Sequence, residues 1–543
     1  MSGVKIVLTS DEVTMSNFGD DAFQAFMCTF PIGFMGKFIE EKIGVEFHPD
    51  GRPKLASYGL RKVEALLQDR FGEENVVIAH PKMLHRFVGK DTKVIGISCH
   101  DPMGMAYVST TYNSLIHVGG DAVNYHYFKK LLQHPAIANR DRKKTKLVAG
   151  GPGVWQINDT NMQDEFGIDT LLYGDAELDL PEIIQRIIDG EDVGKKVEMR
   201  PVDASRVNVP LIRGPASFGC VEITRGCGRN CQFCYPTLRR RYSFPLSYIL
   251  KEVEINIKGG NKSAFLVTED LFLYETHPNF VPNREAIVNL ITSIARYPGV
   301  KEIHLSHAAM APVVKDPKMV EEITPYLLEK TRRTLRGKKY VTAEIGVETG
   351  SIRILKKSMA GKALPFRVEE WHDIIDTGLG ILNDNSWYPL CTFMTGTPDE
   401  TEDDVLATLE LFDRIKDRIL FYVPVIFIPI EGTRWGKEKR KGLEYLNELH
   451  WEVILTGWKR NIRIWASKDI QMIFPIVAPL FYFFYLRWVH GPKTVGPMMR
   501  FFGFPESMFR RRINKPCEPR YCASAEMSRS GDVPDPPAGV EDK

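Results

Sequence analysis

At 543 residues the chain is too long for one hydrophobic core, so two or three domains are expected. Its composition, 43% apolar and 26% charged, is that of a globular protein and excludes a disordered or collagen-like chain. A formal net charge of +2 supplies no global field that would favour nucleic acid or an anionic membrane as a partner. The start, MSGVKIVLTSDEV, has no long apolar run behind a basic segment, so no signal peptide is expected. Nine cysteines, three of them within eight residues, read as metal ligation in a reducing, cytoplasmic setting and not as a disulfide framework.

Residues 1–190 alternate β-branched runs with helical patterns. Val4–Leu8, Val76–Ala79, Val94–Ser98, Leu147–Ala149 and Thr170–Tyr173 read as strands, Gly59–Phe71 and Leu180–Ile188 as helices. That alternation predicts an α/β, Rossmann-like domain with a parallel sheet covered on both faces, whose ligands sit beyond the strands' carboxyl ends. Three loops there have the composition for it: Cys99–Met105 (CHDPMGM), Gly150–Gln156 (GGPGVWQ) and Gly174–Asp179 (GDAELD). Their glycines permit close approach of backbone to a bulky ligand. At three successive strand ends they favour a nucleotide- or corrin-sized one. No GxGxxG follows the first strand, which counts against a dinucleotide.

Residues 191–215, charged and then proline-bearing, read as a linker. A second alternation follows. Strands are expected at Val221–Thr224, Ala264–Thr268, Glu302–Ser306, Thr342–Val347, Leu390–Thr395 and Phe421–Phe427, and helices at Pro245–Lys258, Arg284–Arg296, Lys318–Lys330, Ser351–Lys357, Val368–Thr377 and Thr401–Asp417. Six such units predict a partial (β/α)6 barrel with its chemistry at the strand C-termini. The expected domains are 1–200 with the linker, 201–437 for the barrel, 438–522 for an aromatic-rich helical C-terminal domain, and 523–543 for a disordered tail. The apolar run Met472–Leu486 is shorter than the roughly 20 residues a membrane span needs and carries Pro475 and Pro479. A buried helix is the favoured reading, with an apolar substrate wall or an interfacial anchor left open; membrane contact is not expected. Cys517 and Cys522 read as incidental thiols, with a second metal site open, and Arg510–Arg512 with Lys515 as solvated surface, with docking of a peptide acid or phosphate open.

RGCGRNCQFCYP places Cys227, Cys231 and Cys234 in a C-x3-C-x2-C arrangement directly after a strand. Thiolates are the usual ligands of iron–sulfur clusters, and three of them hold three irons of a cubane while leaving the fourth open. A structural zinc site normally asks for four ligands in paired spacings, and the loop offers no fourth. Gly226 and Gly228 let the loop wrap; Phe233 and Tyr235 are placed to shield the metal from water. This arrangement at the end of a barrel's first strand resembles the radical S-adenosylmethionine (SAM) superfamily. The resemblance extends to Thr268-Glu269-Asp270, to GVETGSIRILKKSMAGK (Gly346–Lys362), to FMTGTPDETEDD (Phe393–Asp404) and to PIEGTRW (Pro429–Trp435). It implies a [4Fe–4S] cluster whose open iron chelates SAM, reductive cleavage of SAM to a 5′-deoxyadenosyl radical, and SAM contacts from Phe233, Tyr235, Glu269 and Glu348. An electron donor such as a ferredoxin is implied as partner.

With a Rossmann-like domain ahead of the barrel, the chain resembles the cobalamin-binding radical SAM subclass. GGPGVWQ and IDTLLYGDAELDLPEII are similar to that subclass's "GG…D…GEGE…L" segment, and the D-x-H-x-x-G motif of other cobalamin proteins is absent. The resemblance implies cobalamin held by Cys99, His100, Met103, Gly150, Gly151, Pro152, Gly153, Tyr173, Gly174 and Glu177. The lower face of the corrin is unassigned, with Met103, Met105 and Tyr107 as candidates. The implied activity is methylation of an unactivated sp3 carbon. More narrowly, in the long N-terminal segment TSDEVTMSNFGDDAFQAFMCTFP (Thr9–Pro31) and in architecture, the chain resembles methanogen enzymes that methylate methyl-coenzyme M reductase, in particular the glutamine C-methyltransferase group. That implies a glutamine α-carbon in the reductase α subunit as target, a post-translational modification; a lipid or a tetrapyrrole is the alternative substrate. No catalytic side chain beyond the cofactors is singled out.

Overall fold

The computed structural model describes residues 2–116 and 120–467 and Trp488. Met472–Leu486, Arg510–Arg512, Lys515, Cys517, Cys522 and the tail lie outside the described residues. So does most of the expected C-terminal domain, of which one long helix is seen, Glu448–Trp465, capped by Asn447.

The N-terminal sheet has six parallel strands: β1 (Ile6–Thr9), β2 (Val76–Ile78), β3 (Val94–Ser98), β4 (Lys146–Gly150), β5 (Thr170–Tyr173) and β6 (Lys196–Glu198). Their order is β2-β1-β3-β4-β5-β6, so chain direction across the sheet reverses between β1 and β3. Such a switch point opens a crevice at the strands' carboxyl ends. Side chains alternate between two cores. Val7, Ile95, Ile97, Leu147, Ala149 and Leu171 pack on one face. Ile6, Leu8, Val94, Val148 and Leu172 pack on the other, beneath the helices Tyr58–Phe71 and Ala176–Ile188.

Two features correct the sequence reading. β6 lies inside the stretch read as linker; it is a three-residue strand with an exposed-intermediate-exposed pattern, too short and polar to show a period. Between β1 and the helix Tyr58–Phe71 the chain also makes a long excursion with its own helix, Ile32–Lys42. Its Gly19 and Asp20 carbonyls accept from Arg332, and Asp21 pairs with Arg333 at 3.1 Å, so it is lashed to the second domain.

That domain supplies β7 (Cys220–Glu222), β8 (Ser263–Val267), β9 (Glu302–Leu305), β10 (His307–Ala308), β11 (Glu344–Glu348), β12 (Leu390–Thr395) and β13 (Phe421–Ile426). All pairings among these seven are parallel. The expected third strand is broken at Ser306: β9 pairs with β8, and β10 with β11, giving sheets ordered β9-β8-β7 and β10-β11-β12-β13. Six βα units thus build the partial barrel, and Ile345, Val347, Cys391, Phe393 and Tyr422 turn outward into one core with the helices.

Among the described residues the last strand has no β partner on its outer side, and side chains complete its edge. Asn461 accepts from the Tyr422 N–H (2.8 Å) and donates to the Tyr422 carbonyl (2.7 Å). Tyr112 donates to the Pro424 carbonyl at 3.2 Å, and Thr111 accepts from the Ile426 N–H at 2.9 Å. Thr111 and Tyr112 belong to the helix Tyr107–Ile116, which follows β3 of the first domain. Unpaired edge groups invite foreign strands, so this cover both finishes the barrel and docks the domains. Among the described residues no helix is long and apolar enough to cross a membrane.

Candidate functional site

The cysteine loop leaves the short strand Thr224–Arg225 and makes three left-handed turns. Gly226 and Gly228 have φ of 77° and 78°, and Asn230 has 65°. A Cβ at Gly226 would lie 2.6 Å from the Arg240 carbonyl, so only glycine fits there. The loop is fastened from three sides. Buried Arg229 donates to the Gly361 carbonyl at 2.7 Å and pairs with Asp270 at 3.0 Å. The Gln232 N–H donates to the Ser358 carbonyl at 2.9 Å, and the Gln232 carbonyl accepts from the Trp435 N–H at 3.1 Å.

Burial pushes the Cys231 thiol up to about 11 and the Cys234 thiol to about 12, with Lys362 opposing both, and raises Cys227 as well. The three sulfurs influence one another's titration, as neighbours around one space do. Among the described residues no three His, Cys, Asp or Glu side chains converge on a point as ligands of one ion would. A cubane asks for something else: each thiolate takes its own iron. A loop with one buried and two half-buried thiols and nearby cations matches that demand, since thiolates bring negative charge that Lys362 and Arg229 offset.

Glu348 ends β11 with φ of 67°, where the register against β12 shifts. A left-handed glutamate is uncommon and marks a position the surroundings enforce. Its carboxylate pairs with Lys362 at 3.0 Å and accepts from Thr392 at 3.3 Å. The Lys362 ammonium also donates to the Gly346 carbonyl at 2.8 Å and lies 5.9 Å from the Phe233 ring. Burial pulls its pKa down, but Glu348 and Cys231 outweigh that and leave it raised. Glu269 is half-buried, with one buried oxygen, Oε2, lacking a partner; desolvation and then Glu222 raise its pKa. Phe233 packs on the barrel core and tilts toward Trp435 at 6.2 Å. Tyr235 stays 39% exposed, its ring against Gly432 and 5.4 Å from the Arg239 guanidinium. So Phe233, Glu348 and the cysteines come together, while Tyr235 stands at the rim.

A cavity of about 350 Å3 opens between the domains, on the sheet face beneath Tyr58–Phe71 and Ala176–Ile188. Gly59, Ser98, Gly150, Pro152, Gly174 and Glu177 line it from the first domain; Glu222, Arg225 and Val267 close it from the barrel. Glu177 reaches across to Arg225 at 2.6 Å, and Asp175 pairs with Arg239.

Of the ten residues expected at a corrin, Gly150, Gly151, Pro152, Gly174 and Glu177 lie in this wall. The other five do not. Cys99 is buried in the core on the opposite face of the sheet, where burial raises its thiol. His100 is exposed. The Met103 N–H is held by Gln156 at 2.9 Å. Tyr173 lies under Lys196, 4.4 Å from ring to ammonium. Gly153 meets the His100 carbonyl: a Cβ there would stand 2.3 Å from it, and one at Gly151 would stand 2.7 Å from the Cys99 carbonyl. These two glycines are therefore required by the packing of two protein loops, and Gly151 also lies in the cavity wall.

Two residues gain a place that sequence alone does not give them. Lys362 stands in the sequence only as the end of a family-like segment. Tyr107, a candidate for the corrin's lower face, has a buried phenol oxygen without a partner; burial, then Glu348 and Cys234, raise its pKa. Docking of Tyr107–Ile116 on β13 carries it there. No spacing along the chain links residue 107 to residue 348.

A family model described as the Radical SAM superfamily matches residues 221–412. A tRNA-2-methylthio-N(6)-dimethylallyladenosine synthase of Magnetococcus marinus is 27% identical over 246 residues, covering 44% of this chain and 50% of that protein. The ribosomal protein uS12 methylthiotransferase RimO of Alkalilimnicola ehrlichii is 27% identical over 236 residues, 40% of this chain and 46% of its own. The chain thus spans about half the length of these curated relatives. The radical S-adenosylmethionine methyltransferase TsrM of Kitasatospora setae, with cobalamin and a [4Fe–4S] cluster bound, superposes with a TM-score of 0.49 at 14% identity, over 80% of this chain and 74% of that one. The loop of Cys227, Cys231 and Cys234 and the strand end at Glu348 both fall inside the segment 221–412 that matches the Radical SAM superfamily model, a family whose members carry a [4Fe–4S] cluster and bind SAM.

Proposed function

We propose that the protein is a cobalamin-dependent radical SAM C-methyltransferase acting on an unactivated sp3 carbon. The observation that carries this reading is the shared wall of the interdomain cavity. The loops after β4 and β5 face Glu222, Arg225 and Val267 of the barrel, so a ligand of the first domain lies beside the strand ends that bear the cluster loop. A cluster, SAM and a methylated corrinoid together supply hydrogen-atom abstraction and a methyl group for carbon. The chain's own part is positioning and exclusion of water. Cys227, Cys231 and Cys234 would hold the cluster. Glu348, steadied by Lys362 and Thr392, offers an oriented acceptor for SAM, and Phe233 and Trp435 cover the loop. Gly59, Ser98, Gly150, Pro152 and Gly174 would hold the corrinoid. A glutamine α-carbon in a peptide of methyl-coenzyme M reductase is the narrower target we favour, on the resemblance of the N-terminal segment and the domain order.

Anaerobic purification and reconstitution should yield about four irons and one corrinoid per chain, and label from methyl-labelled SAM should appear in the product. Iron and SAM cleavage without corrinoid or methyl transfer would overturn the cobalamin reading. The methylthiotransferase relatives support a second reading, methylthio transfer; mass spectrometry separates the two, since only that product gains sulfur.

A further inference from the structure

The barrel holds a second cavity, of about 240 Å3, away from the cysteine loop and the interdomain cleft. At roughly 30 Å3 per water it has room for about eight waters, the size of one large side chain. Phe265, Val341 and Leu390 give it apolar walls, and Ala22 and Phe26 of the excursion after β1 close it from the other domain. His304 and Thr342 supply polar atoms: Thr342 Oγ1 is buried without a hydrogen-bond partner, and His304 Nε2, also without one, faces the Glu302 carboxylate at 3.5 Å. Buried polar groups are rarely left so, and each is costly until something satisfies it.

The charged residues of the same wall have partners. Arg333 pairs with Asp21 at 3.1 Å, and Glu344 faces His307 at 3.7 Å. Burial pushes the His304 pKa down to about 4, so its imidazole is neutral near pH 7. What the cavity leaves unsatisfied is thus a neutral donor–acceptor pair among apolar walls. Glu344 and Glu348 are the two ends of β11, and the Gly346 carbonyl between them accepts from the Lys362 ammonium that pairs with Glu348. About 13 Å of strand separates Glu344 from Glu348, at 3.3 Å per residue.

We propose that this cavity anchors the recognition end of an elongated substrate, and that it takes an uncharged hydrogen-bonding group, a carboxamide or hydroxyl, on an apolar stem. The assignment of the far end, near Glu348, as the reacting end rests on the function proposed above. The cavity itself does not. His304 and Thr342 are the selecting residues, and the excursion carrying Ala22 and Phe26 is the wall that completes the site.

The test uses butyramide, butyrate and butylammonium as probes of the reconstituted protein, with binding read by ligand-observed NMR. Butyramide should bind at millimolar concentration and the two ions at least about tenfold more weakly. Thr342→Val, which keeps the side chain's shape, should weaken butyramide about threefold to tenfold, the worth of one neutral hydrogen bond. His304→Phe should weaken it more, and Ala22→Trp should abolish it by filling the space. Butyramide binding that is unchanged in Thr342→Val and Ala22→Trp, or a preference for either ion, would overturn the proposal. Iron content and SAM cleavage measured on the same samples report on the cluster separately, so a failure there leaves the assignment of this cavity standing.

Discussion

The cysteine loop and the interdomain cavity are both ligand sites at strand ends, but they are assembled differently. The loop is contiguous: eight residues carry all three thiols, and what it borrows from elsewhere, Arg229's acceptors and Lys362, serves to fasten and neutralise it. The cavity is composite. Its wall draws on both domains, and the ion pairs across it, Glu177–Arg225 and Asp175–Arg239, join segments far apart in the chain. A contiguous site announces itself in sequence by composition. A composite one exists only after two domains have docked, and it should respond to mutation through docking and shape more than through a single lost ligand.

The sharpest way to break this contrast is at the thiols. Cys227→Ala, Cys231→Ala and Cys234→Ala should each lower SAM cleavage to background and strip iron, measured by 5′-deoxyadenosine release and metal analysis. Full activity in any one of them would detach the loop from the cluster. Next comes Lys362→Met. Glu348 would then be buried without its cation, which costs about 3–5 kcal/mol for a broken buried pair. Denaturant unfolding should show that loss, and SAM affinity should fall with it. The composite site is better probed at Gly59 than at Gly151. Gly151 has φ of 103° and touches the Cys99 backbone, so a large residue there strains the fold whatever binds. Gly59 lines the same cavity with open space before it. Gly59→Trp should therefore reduce corrinoid retention several-fold, about 1 kcal/mol, while iron content holds; unchanged corrinoid content would remove the cavity from the site.

The smallest effect is a pH dependence beside Glu348. Asp404 pairs with Arg353, caps the helix Glu402–Arg414 and accepts from Ser351. Burial works against its ionised form, but Arg353, Ser351 and Thr401 outweigh it and hold its carboxyl well below the usual range. A carboxylate depressed on folding stabilises the protein fully above its unfolded value, near 4, and loses that contribution as pH falls toward the folded value. The stability gap between the parent and Asp404→Asn should be widest near neutrality, about 0.5 kcal/mol because Arg353 is half exposed, and should narrow below pH 4. A gap independent of pH would mean that the caps, and not the charge, carry the effect.

Much of this architecture is legible in the chain. The six barrel strands fall within two residues of their expected starts because parallel strands covered by helices read as continuous β-branched runs. The cysteine loop is legible because ligand spacing is local. β6 is not, being an edge strand with two exposed residues, nor is the excursion after β1, whose short helices lack a sustained period. The glycines at 151 and 153 show a subtler limit. Composition marks a loop that needs room for something close by, and it cannot say whether that neighbour is a ligand or, as with the Cys99 and His100 carbonyls, the protein itself. Lys362 and Tyr107 stay hidden because their neighbours are set by tertiary packing alone.

The helix that covers the outer margin of β13 has a consequence for how the molecule comes apart and together. A fragment beginning after residue 200 would lose Thr111 and Tyr112 and present the Ile426 N–H and the Pro424 carbonyl bare. Such a margin recruits another copy, so the isolated barrel should self-associate. The intact chain cannot swing its halves wide apart without the same exposure. Large ligands therefore enter between halves that stay clasped along this seam, or are enclosed as the chain first folds.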